Sequence, residues 1–133
     1  MYMPTTLLSL VSVSALASAA NTRCANGEIA IGTRTNCFLV GQGWECSAST
    51  GVILSNNCGT IDASENSDYC NGGWHGWTVS CSSDGHTPSL QLGPGGQLWG
   101  DCYQQVSTCS AGPTQTTSAG YCCKFIGTVP SKQ

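Results

Sequence analysis

Short runs in which apolar and polar residues alternate recur along the chain, and no stretch shows the 3.6-residue apolar period of a helix. The clearest run is Trp77-Thr78-Val79-Ser80-Cys81, which predicts a half-buried strand with Trp77, Val79 and Cys81 on one face. Further strands are predicted at Glu28–Ile31, Cys37–Val40, Gly51–Leu54, Ser89–Leu92, Gln97–Tyr103 and Tyr121–Ile126. This pattern predicts a mainly β fold built on a small antiparallel sheet.

Clusters of turn-forming residues separate the predicted strands. Turns or loops are predicted at Thr33–Asn36, Ser55–Asn57, Ser83–Gly85 and Leu92–Gly96. The Ser/Thr/Gly/Pro-rich stretch Thr108–Ala119 is predicted to be a loop, anchored by Cys109 and by the strand that follows. The sequence also leaves open one short helix, in Thr60–Tyr69 or in Tyr103–Cys109, which would make the fold α+β.

The first 20 residues carry no charged side chain and end in Ala17-Ser18-Ala19-Ala20. An apolar run followed by small residues is typical of a secretory signal peptide, with cleavage here after Ala19 or Ala20. The run is interrupted by serines and is short for a membrane span, which needs about 20 apolar residues. Residues 21–133 are therefore predicted to form a single mature domain of about 113 residues.

All ten cysteines follow the predicted signal peptide: Cys24, Cys37, Cys46, Cys58, Cys70, Cys81, Cys102, Cys109, Cys122 and Cys123. An even number at this density in an exported chain predicts a framework of five disulfides. Roughly 945 pairings are open, so the connectivity cannot be deduced. Because adjacent strand residues point to opposite faces, Cys122 and Cys123 are expected to take different partners. No Cys-x-x-Cys pair occurs, so neither a metal nor a cofactor is predicted.

The formal charge of −3 combines seven acidic with four scattered basic side chains. Without a basic stripe, binding to nucleic acid or to an anionic membrane has little electrostatic support. No later stretch resembles a membrane span, and a monomer is favoured. Only 8% of the residues are charged, so the surface must consist mainly of Ser, Thr, Asn, Gln and Gly. Such a surface suits an extracellular domain in which disulfides stand in for a large core.

Four tryptophans are many for a domain of this size. Trp44 and Trp77 are interpreted as core filler, since small disulfide-rich cores use tryptophan in this way. For Trp74 and Trp99 the choice between filler and stacking on sugar rings stays open. The candidate binding residues, all in or near glycine-rich segments, are Trp74, His75, Trp77, Trp99 and Asp101.

The two histidines are the candidates for acid–base chemistry. His75 or His86 could pair with a carboxylate, as hydrolysis of a phosphodiester or glycosidic bond would require. The acidic candidates are Glu45, Glu65, Asp68 and Asp101. Nothing in the spacing brings a histidine to any of them, and no nucleophile motif is present, so no catalytic residue is assigned.

The signal peptide, the mature length of about 113 residues, the ten cysteines and the Ser/Thr/Gly-rich surface together resemble small secreted cysteine-rich proteins of filamentous fungi. That class includes plant-pathogen effectors, antimicrobial proteins and killer-toxin-like proteins. The resemblance is one of class and transfers no residue roles. It implies a secreted, effector-like protein that acts non-enzymatically by binding a host or competitor component, either a protein or a cell-wall glycan. The alternatives are a carbohydrate-binding module that uses Trp74 and Trp99, and a small secreted hydrolase that uses His75 or His86.

Overall fold

A computed structural model describes residues 21–112 and 114–129, so the predicted signal peptide lies outside the described residues. These residues form an eight-stranded antiparallel sheet, which confirms the prediction of a mainly β fold. The strands are β1 (Ile29–Val40), β2 (Gly43–Cys46), β3 (Thr50–Leu54), β4 (Thr60–Ala63), β5 (Thr78–Cys81), β6 (Pro88–Leu92), β7 (Gln97–Ala111) and β8 (Gln115–Thr128). Two single turns of 3₁₀ helix, Tyr69–Asn71 and Pro94–Gly96, complete the secondary structure. No helix within this described part has the length and apolar character needed to cross a bilayer.

The sheet is curled, with the strand order β4-β3-β1-β8-β7-β6-β5, and β2 pairs with the far end of β1. Although β3 and β5 lie near opposite ends of this order, Ile53 of β3 belongs to the same buried cluster as Val79 of β5. Trp77, which immediately precedes β5, is buried in that cluster as well. The curl therefore wraps one face of the sheet around a core and brings the two ends of the sheet together.

The opposite face of the central strands is buried too. Ala30 alternates with Ile29 and Ile31 along β1, and it packs in a second cluster with Val52 and Leu54. Strands that are buried on both faces read as continuous apolar runs rather than as alternating ones. This explains why Gly51–Leu54 carries no polar position between its apolar residues.

Five disulfides join all ten cysteines, as predicted. The pairs are Cys24–Cys122, Cys37–Cys46, Cys58–Cys109, Cys70–Cys81 and Cys102–Cys123. The prediction that Cys122 and Cys123 have different partners is confirmed, because these adjacent residues face the two separate cores. The Cys70–Cys81 bond closes the segment that carries Trp74, His75 and Trp77.

The turn predicted at Thr33–Asn36 is wrong. These residues continue β1 without interruption, and they pair with β8 from Thr33↔Ser118 to Asn36↔Gln115. Threonine favours strands, and the partner strand decides the conformation of a locally ambiguous stretch. The predicted strands Glu28–Ile31 and Cys37–Val40 thus belong to a single strand of 12 residues.

The predicted loop Thr108–Ala119 and both helix alternatives are also wrong. β7 extends to Ala111 and β8 begins at Gln115, so most of the predicted loop belongs to these two strands. The stretch Tyr103–Cys109 lies inside β7. In Thr60–Tyr69, residues Thr60–Ala63 pair with β3 instead of starting a helix.

Candidate functional site

An open cleft of about 330 Å³ lies where the two ends of the curled sheet meet. Two neighbouring indoles, Trp77 and Trp99, line the cleft, and Ile61 of β4 lines it as well. The remaining lining residues are Gly27, Glu28, Ile29, Ser55, Asn56 and Gln97. This volume falls at the lower end of the range for small-molecule sites, and a mostly apolar lining with a few polar groups is typical of them.

Trp77 is held in place by Asp62 and by a glycine. The nearly buried Asp62 carboxylate accepts hydrogen bonds from the N–H of His75 at 3.0 Å and from the N–H of Trp77 at 3.2 Å. A Cβ at Gly93 would lie 2.9 Å from the ring atom Cη2 of Trp77, so the indole packs directly on that backbone. Trp77 therefore presents only a small fraction of its surface to the cleft.

Trp99 is the more accessible of the two indoles, and it belongs to an aromatic row. Its ring centroid lies 6.3 Å from that of Trp77 and 5.1 Å from that of Phe125, which meets it edge-on. The register places Phe125 of β8 directly beside Trp99. The Nε1–H of Trp99 donates to Oε1 of Gln97 at 3.4 Å. The neighbouring strand and this amide thus fix the orientation of the Trp99 ring.

The polar side of the cleft offers amide, hydroxyl and carboxylate groups. Asn56 and Ser55 contribute from the turn between β3 and β4, and Gln97 contributes from β7. Among the described residues that line the cleft, Glu28 is the only charged one. Its Oε1 accepts hydrogen bonds from the hydroxyl of Tyr103 at 2.6 Å and from the N–H of Ala25 at 2.9 Å. The arrangement therefore combines flat aromatic surface with directional hydrogen-bonding groups and a single negative charge.

The structure brings together only two of the five candidate binding residues, Trp77 and Trp99. Trp74 is half-buried, its Nε1–H donates to the carbonyl of Tyr69 at 3.2 Å, and its ring packs close to Gly51. Asp101 is exposed on an irregular part of β7, where its φ is 48°. Neither Trp74, His75 nor Asp101 lines the cleft.

The interpretation of Trp44 as core filler is wrong. Trp44 lies on β2, which pairs only with the far end of β1, and half of the residue is exposed. It belongs to neither buried cluster. The interpretation of Trp77 as a core residue, by contrast, is confirmed.

His75 lies among acceptors at the surface. Its Nε2 is 3.0 Å from Oε2 of Glu65, and its Nδ1 is 3.0 Å from the carbonyl oxygen of Ala63. The doubly protonated ring donates to both, and the hydrogen bond to Glu65 is the main reason why the pKa of His75 is raised above its ordinary value. This geometry favours a retained proton over a general base. Among the described residues, His75 is the one histidine with a carboxylate oxygen within 4.0 Å.

A Glu65→Gln substitution is expected to lower the pKa of His75 toward the ordinary value of 6.5. A raised pKa means that the contribution of the protonated ring to stability is complete below pH 6.5 and is lost as the pH rises through the higher folded-state pKa. NMR titration of the His75 ring protons measures the change. Glu45→Gln, on the distant strand β2, serves as the matched control and is expected to leave the titration unchanged. An unaltered His75 titration in Glu65→Gln would contradict the assignment.

Within residues 21–112 and 114–129, one group of side chains has the spacing of metal ligands, namely Cys24, Glu28 and Cys122. The two sulfurs are joined to each other in a disulfide, so neither can act as a thiolate ligand. This group therefore offers a metal only the Glu28 carboxylate.

The sequence analysis did not identify the lining residues that come from the β4 end of the sheet. Asn56 appeared only as a turn residue, and Ile61 fell in a stretch considered for a helix. Their proximity to Trp99 arises from the curl of the sheet, which leaves no mark in sequence spacing. Phe125 could have been found, since it shares a strand face with the disulfide-bonded Cys123.

Comparison of the chain with protein-family models, with curated proteins and with solved structures finds no match.

Proposed function

We propose that this protein is exported and acts without catalysis, as an effector-like protein whose aromatic cleft binds a neutral cell-wall glycan of a host or competitor. The observation that carries the proposal is the pairing of Trp77 and Trp99 in the lining of the cleft, together with amide and hydroxyl groups that line it as well. The C–H faces of a sugar ring are apolar and pack on indole, while its hydroxyl groups need hydrogen-bonding partners beside the ring.

The charge of the cleft supports a neutral ligand. Glu28 is the only charged side chain among its described lining residues, so an acidic polysaccharide would meet repulsion with no cation to offset it. Glucans, cellulose and chitin carry no negative charge. Their hydroxyl or acetamido groups match the side-chain amides of Asn56 and Gln97, which both donate and accept hydrogen bonds.

The disulfide framework supports an extracellular site of action. Five bridges persist in oxidising compartments and are rare in the cytosol. Cross-links also make open forms of the chain less populated, because they restrict the unfolded ensemble. Few open forms are an advantage in a space that contains proteases. Recovery of the expressed chain from the medium, with an amino terminus at Asn21 or Ala20, tests this part of the proposal.

Glycan binding is tested by sedimentation with insoluble chitin, β-glucan and cellulose, together with tryptophan fluorescence on soluble oligosaccharides. Trp99→Ala is expected to weaken retention about tenfold or more, because it removes the accessible stacking face. Trp99→Phe keeps an aromatic face and is expected to retain most of the binding, which separates stacking from a loss of folding.

Trp44→Ala is the matched control, since it removes an exposed indole that lies outside the cleft. It is expected to bind glycan like the parent. If the parent protein sediments with none of the three polysaccharides, or if Trp44→Ala weakens retention as much as Trp99→Ala, the glycan assignment is wrong.

A further inference from the structure

The second feature of note is a hairpin that extends beyond the sheet, formed by the end of β1 and by β2. We call residues 37–46 the finger. The Cys37–Cys46 disulfide closes its base, and Leu39↔Trp44 and Val40↔Gly43 pair toward its tip. The flanking strands stop below it, because β3 pairs with β1 only as far as Arg34 and β8 only as far as Asn36.

The finger is apolar on both faces. Leu39 and Trp44 share one face, while Phe38 and Val40 lie on the other. These four residues are 46–60% exposed, and none of them belongs to either buried cluster. Exposed apolar groups that are concentrated in this way mark a binding site rather than ordinary surface.

We propose that the finger inserts its tip into the interface of a neutral, zwitterionic lipid bilayer. A bilayer surrounds a projecting element on all sides, so it can bury both apolar faces at once. A stable protein interface, by contrast, takes roughly 20–30 residues a side, which the finger alone does not provide. The inference is independent of the glycan cleft, because the cleft lining contains no residue of the finger.

The charges of the finger select neutral lipid. Its only charged side chain is Glu45, opposite Phe38, and the whole chain carries a formal charge of −3. An anionic bilayer would repel the Glu45 carboxylate and the net negative charge of the chain. Insertion of apolar side chains into a zwitterionic bilayer, by contrast, needs no basic residue.

The dimensions of the finger fit shallow insertion. From Cys37 to Val40 the strand advances about 10 Å at ~3.3 Å per residue. Apolar segments that lie in the membrane interface reach about 5–10 Å into it. A two-stranded hairpin has open edges with unpaired backbone groups, which are costly in hydrocarbon, so only the tip can enter. Trp44, three residues from the turn at Gly41, then lies at the headgroup level, where tryptophan is favoured.

Flotation with phosphatidylcholine vesicles at millimolar lipid tests the proposal. The full chain is expressed, and mass spectrometry determines the amino terminus of each purified protein. Because parent and variants share the same amino terminus, differences in flotation between them report the finger alone. The parent protein is expected to float with the vesicles. Phe38→Thr/Val40→Thr and Leu39→Thr/Trp44→Thr are each expected to reduce the bound fraction about tenfold or more, since each removes one apolar face. Threonine preserves strand propensity, and the disulfide at the base holds the hairpin.

The matched control is Leu90→Thr/Val106→Thr, which removes two exposed apolar side chains of the sheet body and is expected to bind like the parent. Trp44→Phe is expected to float normally but to lose the quenching of tryptophan fluorescence by brominated phosphatidylcholine that the parent shows. This variant reports the depth of Trp44 without disturbing the fold.

Several outcomes would overturn the proposal. They are no flotation of the parent protein, equal flotation of the parent and both finger variants, or equal loss of flotation in the control variant. Loss in only one of the two finger variants would overturn the burial of both faces, because it would place the lipid contact on a single face of the hairpin. Stronger binding on addition of anionic lipid would overturn the assignment to neutral lipid.

Discussion

Replacing Cys24 and Cys122 together by alanine is expected to lower the free energy of unfolding by about 4 kcal/mol. The two cysteines are 98 residues apart, and the intact Cys58–Cys109 bond shortens the loop that they close to about 47 residues, namely 34 from Cys24 to Cys58 and 13 from Cys109 to Cys122. The entropy that such a bond removes from the unfolded chain grows with loop length and is about 4 kcal/mol for a loop of that size. Since domains are stable by only about 5–15 kcal/mol, this loss removes much of the total. Urea denaturation of the oxidised proteins measures it.

The control removes the shortest loop, with Cys37→Ser and Cys46→Ser, which are 9 residues apart at the base of the finger. The same relation gives about 2.6 kcal/mol for this loop, so the midpoint of unfolding is expected to fall by roughly two thirds as much. Alanine is used at Cys24 and Cys122 because both are buried, where an unpaired hydroxyl would add its own penalty. A smaller loss in the Cys24/Cys122 variant than in the control would contradict the role assigned to the long bridge.

Gly32→Ala is the second substitution with a large expected effect, a loss of about 3 kcal/mol or more in unfolding free energy. A Cβ at Gly32 would lie 1.8 Å from the carbonyl oxygen of Ser118 and 2.7 Å from Cα of Ala119. Both atoms belong to the backbone of β8, which is held by its bridges and cannot rotate away as a side chain could. The register between β1 and β8 shifts at this point, which brings the two backbones together.

Gly43→Ala provides the comparison, because a Cβ there meets no atom within 4 Å. It is expected to change stability by less than about 0.5 kcal/mol. Thermal unfolding of the two variants side by side tests the difference. Equal melting temperatures would show that β8 does not approach β1 as closely as the structure has it.

The sequence was most informative where one face of a strand is buried. Trp77 to Cys81 alternates as the period of a strand requires, and Val79 is buried while Thr78 and Ser80 are exposed. The separate bridges of Cys122 and Cys123 followed from the same alternation. Local composition misled where the neighbouring strand decides the conformation, as at Thr33–Asn36, which reads as a turn but is paired on one side with β8 along its whole length.

The candidate cleft was only half visible in the sequence. Trp77 and Trp99 stood out as aromatic residues, but their partners Ile61 and Asn56 reach them through the curl of an eight-stranded sheet. That curl depends on side chains from five strands packing at once, which no short-range pattern encodes. Trp44 shows the converse limit, since the use of tryptophan as filler in small disulfide-rich cores suggested a core position where the structure has a projecting hairpin.

The adjacent cysteines near the centre of β8 also bear on how the chain is assembled. If β8 slid by one residue against its neighbours, its two sulfurs would exchange faces, so that Cys123 would take the place of Cys122 opposite Cys24 while Cys122 lay two residues away from the position opposite Cys102. Oxidation would then fix a non-native Cys24–Cys123 bond and leave Cys102 and Cys122 without their partners. Alignment of β8 must therefore precede closure of these two bonds, or a thiol–disulfide exchange catalyst must reopen them.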